Sequence, residues 1–140
     1  MPRLRLFYHF VWATKDRLPL IGGHREVIYR VINAKVADLK AELRALNGTD
    51  DHLHLVVSVP PTVPLSTFIG QVKGASSHAV THLTGAASDR SFAWQPDYSV
   101  MTVSESHLPF VIAYVLSQQE HHAAKNLDDR FEDCYEQPTT

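Results

Sequence analysis

Residues 50–61, DDHLHLVVSVPP, place His52 and His54 one residue apart inside an apolar run. In a strand, alternate side chains share a face, so His52, His54, Val56 and Ser58 point one way and Leu53, Leu55, Val57 and Val59 the other. Two neutral imidazoles on one strand face can share a cation. They can equally be a surface pair or hydrogen-bonded core histidines. A second set lies toward the C-terminus, where Tyr114, Gln118, His121 and His122 stand at i, i+4, i+7 and i+8, one face of a helix. If that face covers the histidines, Gln118 can supply an amide oxygen as a third metal ligand, with the Tyr114 hydroxyl near the metal. The alternative leaves Tyr114 a core aromatic and Gln118 a surface polar group. His78 and His82 also stand at i, i+4, a spacing that binds zinc, but HAVTH carries Ala79 where a zinc protease helix needs Glu.

The elements that must hold these groups follow from hydrophobic periodicity. Residues 5–13, RLFYHFVWA, are apolar on both faces of the alternation, as in a central strand. Val27, Ile28, Val31, Ile32, Val36 and Leu39 recur at helical spacing and predict a helix from His24 to about Leu39. Asn47-Gly48 between two apolar runs predicts a hairpin, with strands over roughly 41–47 and 52–59. PPTVPL breaks the chain, and residues 65–83 read as a second helix weakened by Gly70 and Gly74. SFAW and YSVMTV are short strand candidates around QPD. SESHLPFVIAYVLSQQEHHAAKN begins with capping residues and a proline near its first turn, then runs as a helix. The order β-α-β-β-α-β is the split βαβ, ferredoxin-like arrangement, an α+β fold with an antiparallel sheet and two helices on one face. A seventh element, the last helix, is left to cover the other face, where the histidines point.

The bulk properties are those of a single domain. The chain has 140 residues, 44% of them hydrophobic and 20% charged, with a formal net charge of −2. It shows no membrane span and no signal-peptide pattern, so a cytoplasmic protein is expected. Cys134 is the only cysteine, which excludes an internal disulfide and a cysteine zinc site. Charge is uneven. Nine of the thirteen basic residues fall in residues 1–44, and the segment from Asn126 on is acidic. That asymmetry permits a basic patch without a basic whole.

Several motifs in order resemble the single-tyrosine HUH transposases, which include the small transposases of one insertion-sequence group and the REP-associated tyrosine transposases. They are YHFVWATKDRLPLI near the start, His52-Leu53-His54, VKGASS at 72–77, FAWQPDYSVMTVSES, and YVLSQ from Tyr114 to Gln118 followed by QEHH. The resemblance covers nearly the whole chain and implies one catalytic domain over residues 1–140. It implies a ferredoxin-like sheet, a catalytic Tyr114 on a helix crossing the open face, and cleavage and rejoining of single-stranded DNA, usually with a hairpin. It also implies a homodimer, in which one subunit's tyrosine can serve the other's histidine pair.

The chemistry suits the residue types. A divalent ion, Mg²⁺ or Mn²⁺, held by His52, His54 and Gln118 would neutralise and polarise a phosphodiester as a Lewis acid. These ligands are neutral, so the ion keeps its charge for the phosphate. A phenol, with a pKa of about 10, is mostly protonated at neutral pH and needs such help to attack. The product is a 5′-phosphotyrosine and a free 3′ hydroxyl. Lys15, Arg17, Lys73, Ser76 and Ser77 lie in the matching motifs and are candidates for phosphate contacts, with Arg3 and Arg5 adding to the patch. His121 and His122 flank the site or contact DNA. Trp94 and Tyr98 could stack on unpaired bases or pack in the core. The rival readings are a relative that binds DNA hairpins without transposition, a histidine-metal hydrolase that uses water, and an interaction domain with no metal affinity.

Overall fold

The central strand of the sheet carries apolar side chains on both faces because both faces are covered. The computed structural model describes residues 4–82, 89 and 91–118. Its elements are β1 (Phe7–Ala13), α1 (Arg25–Asp38), β2 (Glu42–Gly48), β3 (His52–Ser58), α2 (Leu65–Thr81), β4 (Ser99–Val103) and α3 (Leu108–Leu116). The four strands form one sheet in the order β2-β3-β1-β4, and every neighbouring pair is antiparallel. This is the ferredoxin-like βαββαβ topology with one added helix. Among the described residues, no helix is long and apolar enough to cross a membrane.

The alternation along β1 and β3 divides the core into two layers. Phe10, Trp12, Leu53, Leu55 and Val57 pack with Ile28, Ile32 and Val36 of α1 and with Phe68, Ile69, Val72 and Val80 of α2. The i, i+4, i+8 spacing of the α1 residues turns that stripe onto the sheet. On the other face, Phe7, Ala45, Val56 and Val103 pack against Leu108, Val111, Tyr114 and Val115 of α3. Pro109 at the first turn suits an N-terminus, where its missing N–H breaks no helical bond. The regular helix ends at Leu116, with Ser117 as its C-cap, and Gln118 lies just beyond.

Two expectations shift. Asn47-Gly48 is not the hairpin turn. β2 runs through Gly48, which pairs with Leu53, and the reversal uses Thr49, Asp50 and Asp51, closed by Thr49 N–H donating to His52 O at 3.0 Å. Gly48 serves close approach instead of a turn dihedral, since a Cβ there would lie 2.1 Å from His52 O and 2.9 Å from Leu53 Cα. SFAW contributes only a single bridge, Trp94 to Thr14, because the chain leaves the sheet edge again before β4.

Gly48→Ala is expected to destabilise the protein by about 1–3 kcal/mol through overpacking. Gly70→Ala, in α2 with open space around its Cβ position, is expected to stabilise by about 0.5–1 kcal/mol. Urea unfolding of the two variants checks both signs.

Candidate active site

Beneath α3, the histidine face of β3 is closed from solvent. His52 is 1% exposed and His54 is 0% exposed, and Tyr114 and Gln118 on the covering segment are 6% and 0% exposed. The His52 and His54 rings lie 5.2 Å apart between centroids, and the Tyr114 ring meets His54 edge-on at 6.3 Å. The Tyr114 ring therefore lies against His54 of its own chain. Gln118 is buried at the end of the same segment.

Both histidines are oriented from behind. His52 Nδ1 is 2.8 Å from Asp51 Oδ1 and 2.9 Å from Thr49 Oγ1. Burial of Asp51 opposes its ionisation, but the His52 hydrogen bond, the Arg17 guanidinium, the charge on His52 and the Thr49 hydroxyl outweigh it and hold the carboxyl down at about 2. His54 Nδ1 is 2.8 Å from Nε2 of His9, which is itself fully buried. In both rings these contacts fall on Nδ1, so a cation would be taken through Nε2, the usual pattern of a metal-ligating histidine backed by a second group. Two imidazoles and one carboxamide form a donor set that suits a divalent ion. Among the described residues, no group of three or more His, Cys, Asp or Glu is arranged to hold a metal. His9, the third histidine of this face, is turned onto His54 and does not converge with the pair.

Sequence reasoning missed His9 because it lies in a run read as uniformly apolar. Its signal was parity. His9 shares a face of β1 with Phe7 and Val11, but only the register, His54 opposite Val11 and His9 opposite Val56, makes it a diagonal neighbour of His54. Asn47 was also missed. It lies opposite His54 on β2, and its Nδ2 donates to Leu116 O at 3.0 Å, tying the end of α3 to the sheet. Tyr29 Oη donates to Asn47 Oδ1 at 3.3 Å from the helical layer.

The basic residues divide by location. Lys15 and Arg17 stand at the His52 end, in a short turn after β1 where Thr14 N–H donates to Asp51 O at 2.9 Å. Asp16 and Arg17 both have left-handed backbone, φ 56° and 55°, a conformation that costs roughly 1–2 kcal/mol per residue. Thr14 Oγ1 helps hold the turn by donating to Leu18 O at 2.6 Å. Arg17 reaches Asp51 Oδ1 at 3.5 Å. Arg5 lies toward the opposite end of β1, where Phe7 pairs with Ser58, about 20 Å from the His52 level at roughly 3.3 Å per residue. It pairs there with Glu105 and stacks over Phe7. Arg3, His121 and His122 lie outside the described residues.

The α2 candidates need correction in part. Ser76 is fully buried, accepts from Trp94 Nε1 at 2.9 Å and donates to Val72 O, so it presents no hydroxyl to a phosphate. The motif position packs a helix against a loop. Lys73 is half-buried and donates to Gln95 O at 2.6 Å and Asp97 O at 2.9 Å, and burial lowers its pKa against the opposing Asp97 charge. Lys73, Ser77, Trp94 and Tyr98 border a cleft of about 480 Å³ on the helical side of the sheet. Trp94 meets Trp12 edge-on and Tyr98 packs near Phe10, so both aromatics are partly core. His78 and His82 stack at 4.1 Å, nearly parallel, a geometry that does not converge their nitrogens on one ion.

Comparison with known proteins gives a consistent answer. Residues 3–118 match the sequence model of the family described as "Transposase IS200 like". The chain is 26% identical over 120 residues to the ISDra2 transposase TnpA of Deinococcus radiodurans, covering 83% of this chain and 86% of that protein. It is 33% identical over 72 residues to the transposase for insertion sequence element IS200 of Salmonella typhimurium, covering 50% of this chain and 47% of that protein. A solved Deinococcus radiodurans structure described as a transposase superposes with TM-score 0.61 at 27% identity, covering 84% of this chain and 98% of the other. A REP-associated tyrosine transposase, solved bound to a REP hairpin, superposes with TM-score 0.65 at 17% identity, covering 87% and 74%.

Asn47→Ala is expected to cost about 1 kcal/mol and to speed amide hydrogen exchange in α3. Tyr29→Phe, which leaves the Asn47–Leu116 bond in place, is expected to leave α3 exchange unchanged.

Proposed function

The chain belongs to the family of IS200-like transposases, and on that premise we propose that it cleaves and rejoins single-stranded DNA with Tyr114 as the nucleophile. Residues 1–140 are read as one HUH transposase catalytic domain acting in the cytoplasm. The observation that carries the reading is the edge-on contact of Tyr114 with His54, 6.3 Å between centroids, above a histidine pair closed from solvent.

His52 and His54, through Nε2, and Gln118, through its carboxamide oxygen, would hold a divalent ion, Mg²⁺ or Mn²⁺. When bound, that ion neutralises a phosphate oxygen and polarises the phosphorus. The chain's own residues do the rest. Asp51 and His9 fix the two imidazoles. α3, tied down through Asn47, carries the phenol to the same place. Tyr114 Oη attacks the phosphorus of the scissile linkage and loses its proton to solvent. The P–O3′ bond breaks, the 3′ oxygen takes up a proton, and the 5′ phosphate stays on the tyrosine. Attack by a 3′ hydroxyl on that phosphotyrosine forms a new P–O3′ bond and returns the phenol. One phosphodiester is exchanged for another, so no nucleotide cofactor is consumed.

For the DNA, Lys15 and Arg17 stand at the histidine end, and Lys73 and Ser77 border the cleft on the other face. Arg3, Arg5, His121 and His122 complete the proposed DNA contacts. Recognition of a hairpin is supported by the fold shared with the REP-hairpin complex. A homodimer is carried over from the family resemblance, and α3 leaves Phe110 and Leu116 52% and 59% exposed.

The test incubates the protein with single strands from the flanks of its gene and Mg²⁺ or Mn²⁺, then runs a denaturing gel. The expected result is a covalent protein–DNA band that is lost in Tyr114→Phe, in His54→Ala and with chelator. A band that persists in Tyr114→Phe assigns another nucleophile. Cleavage without any adduct assigns water. Hairpin binding without cleavage by the wild-type protein identifies a relative that recognises DNA but does not transpose it.

A further inference from the structure

We propose that His9 is a positioning residue that sets the tautomer of His54 and so makes its Nε2 available as a ligand. The proposal rests on the reading of His52 and His54 as metal ligands, but its first test does not. His9 Nε2 and His54 Nδ1 stand 2.8 Å apart, both rings are 0% exposed, and their centroids are 5.1 Å apart. That distance is a hydrogen bond. A bond between two ring nitrogens needs the proton on one and a lone pair on the other.

The two polarities have opposite consequences. If His9 donates, His54 Nδ1 is the acceptor, and neutral His54 must carry its single proton on Nε2. That nitrogen then has no lone pair for a cation. If His54 donates, its proton sits on Nδ1 and Nε2 offers the lone pair. Only the second polarity is compatible with a ligand. It requires a neutral His9 with its own proton on Nδ1 and its lone pair on Nε2, facing His54.

His52 reaches the same state by another route. Asp51 Oδ1, 2.8 Å from His52 Nδ1, can only accept from that nitrogen, so a neutral His52 carries its proton on Nδ1 and its lone pair on Nε2. A carboxylate at the rim of the site and an imidazole in its floor thus perform one task. The difference has a physical reason. His54 lies deeper along the sheet, opposite Val11 and Asn47, where a second buried carboxylate would carry a large desolvation cost. It would also offset the charge of the cation. A neutral imidazole orients the ring without adding charge.

The polarity can be read in the wild-type, metal-free and DNA-free protein by ¹⁵N NMR of the histidine rings. The expected result is a proton on His54 Nδ1 and a scalar coupling across the hydrogen bond to His9 Nε2. A proton on His54 Nε2 overturns the proposal. Two variants supply the second readout. His9→Gln keeps an acceptor at similar reach, and His9→Phe keeps the ring and removes the acceptor. Titration with Mn²⁺, followed by the electron paramagnetic resonance of the free ion, is expected to show affinity about 10–100-fold weaker in His9→Phe and recovered in His9→Gln. Equal affinity in all three proteins, or equal loss in both variants, overturns the positioning role. If His9→Phe does not fold, the wild-type tautomer decides alone. A wild-type protein that binds no Mn²⁺ overturns the metal reading, and the ring spectrum still reports on His9.

Discussion

Among the described residues, three imidazoles occupy the layer between the sheet and α3, none more than 1% exposed. Burying a polar nitrogen without a partner costs on the order of 1–3 kcal/mol in folded proteins. An apolar layer that contains three such rings is therefore tolerable only if their nitrogens are directed. Among the neighbours that direct them are the carboxylate and hydroxyl of the β2–β3 loop for His52, and an adjacent strand's histidine for His54. Because each of those contacts falls on Nδ1, the same constraint that stabilises the layer also fixes how the two rings are turned.

The scaffold holds that arrangement by close approach as much as by apolar burial. Gly48 lets β2 run against the backbone at His52, where any side chain would collide. One residue earlier, Asn47 spans the edge of the sheet, accepting from Tyr29 on one side and donating to the last turn of α3 on the other. α3 thus rests on the sheet through the packing of Val111, Tyr114 and Val115, and its end is fixed by a hydrogen bond from the strand next to β3. The tyrosine inherits its position from both.

The charges follow the same logic. Beside the candidate ligands, the Asp51 carboxylate is shared between His52 and Arg17. The strained turn that carries Lys15 and Arg17 sets cations beside the histidine end of the sheet without placing one inside it. On the helical side, Lys73 is engaged with the backbone carbonyls of the loop before β4. It shapes the cleft there as much as it charges it.

Periodicity in the sequence determined the element order, the two-layer core and the face on which His52 and His54 lie, because alternation in a strand and the turn of a helix are local properties of the chain. It likewise put Tyr114 on a helix with no other surface to cover. It misplaced the β2–β3 reversal, because Asn47-Gly48 satisfies a turn locally while the demand on Gly48 comes from the strand opposite. The motif resemblance made Ser76 a candidate phosphate contact, whereas its hydroxyl accepts from Trp94, eighteen residues away. His9 belonged to the site only once the register of β1 against β3 was known. Register, and with it the choice of which nitrogen meets which acceptor, is set by pairing between distant segments, and that was decided in the tertiary structure alone.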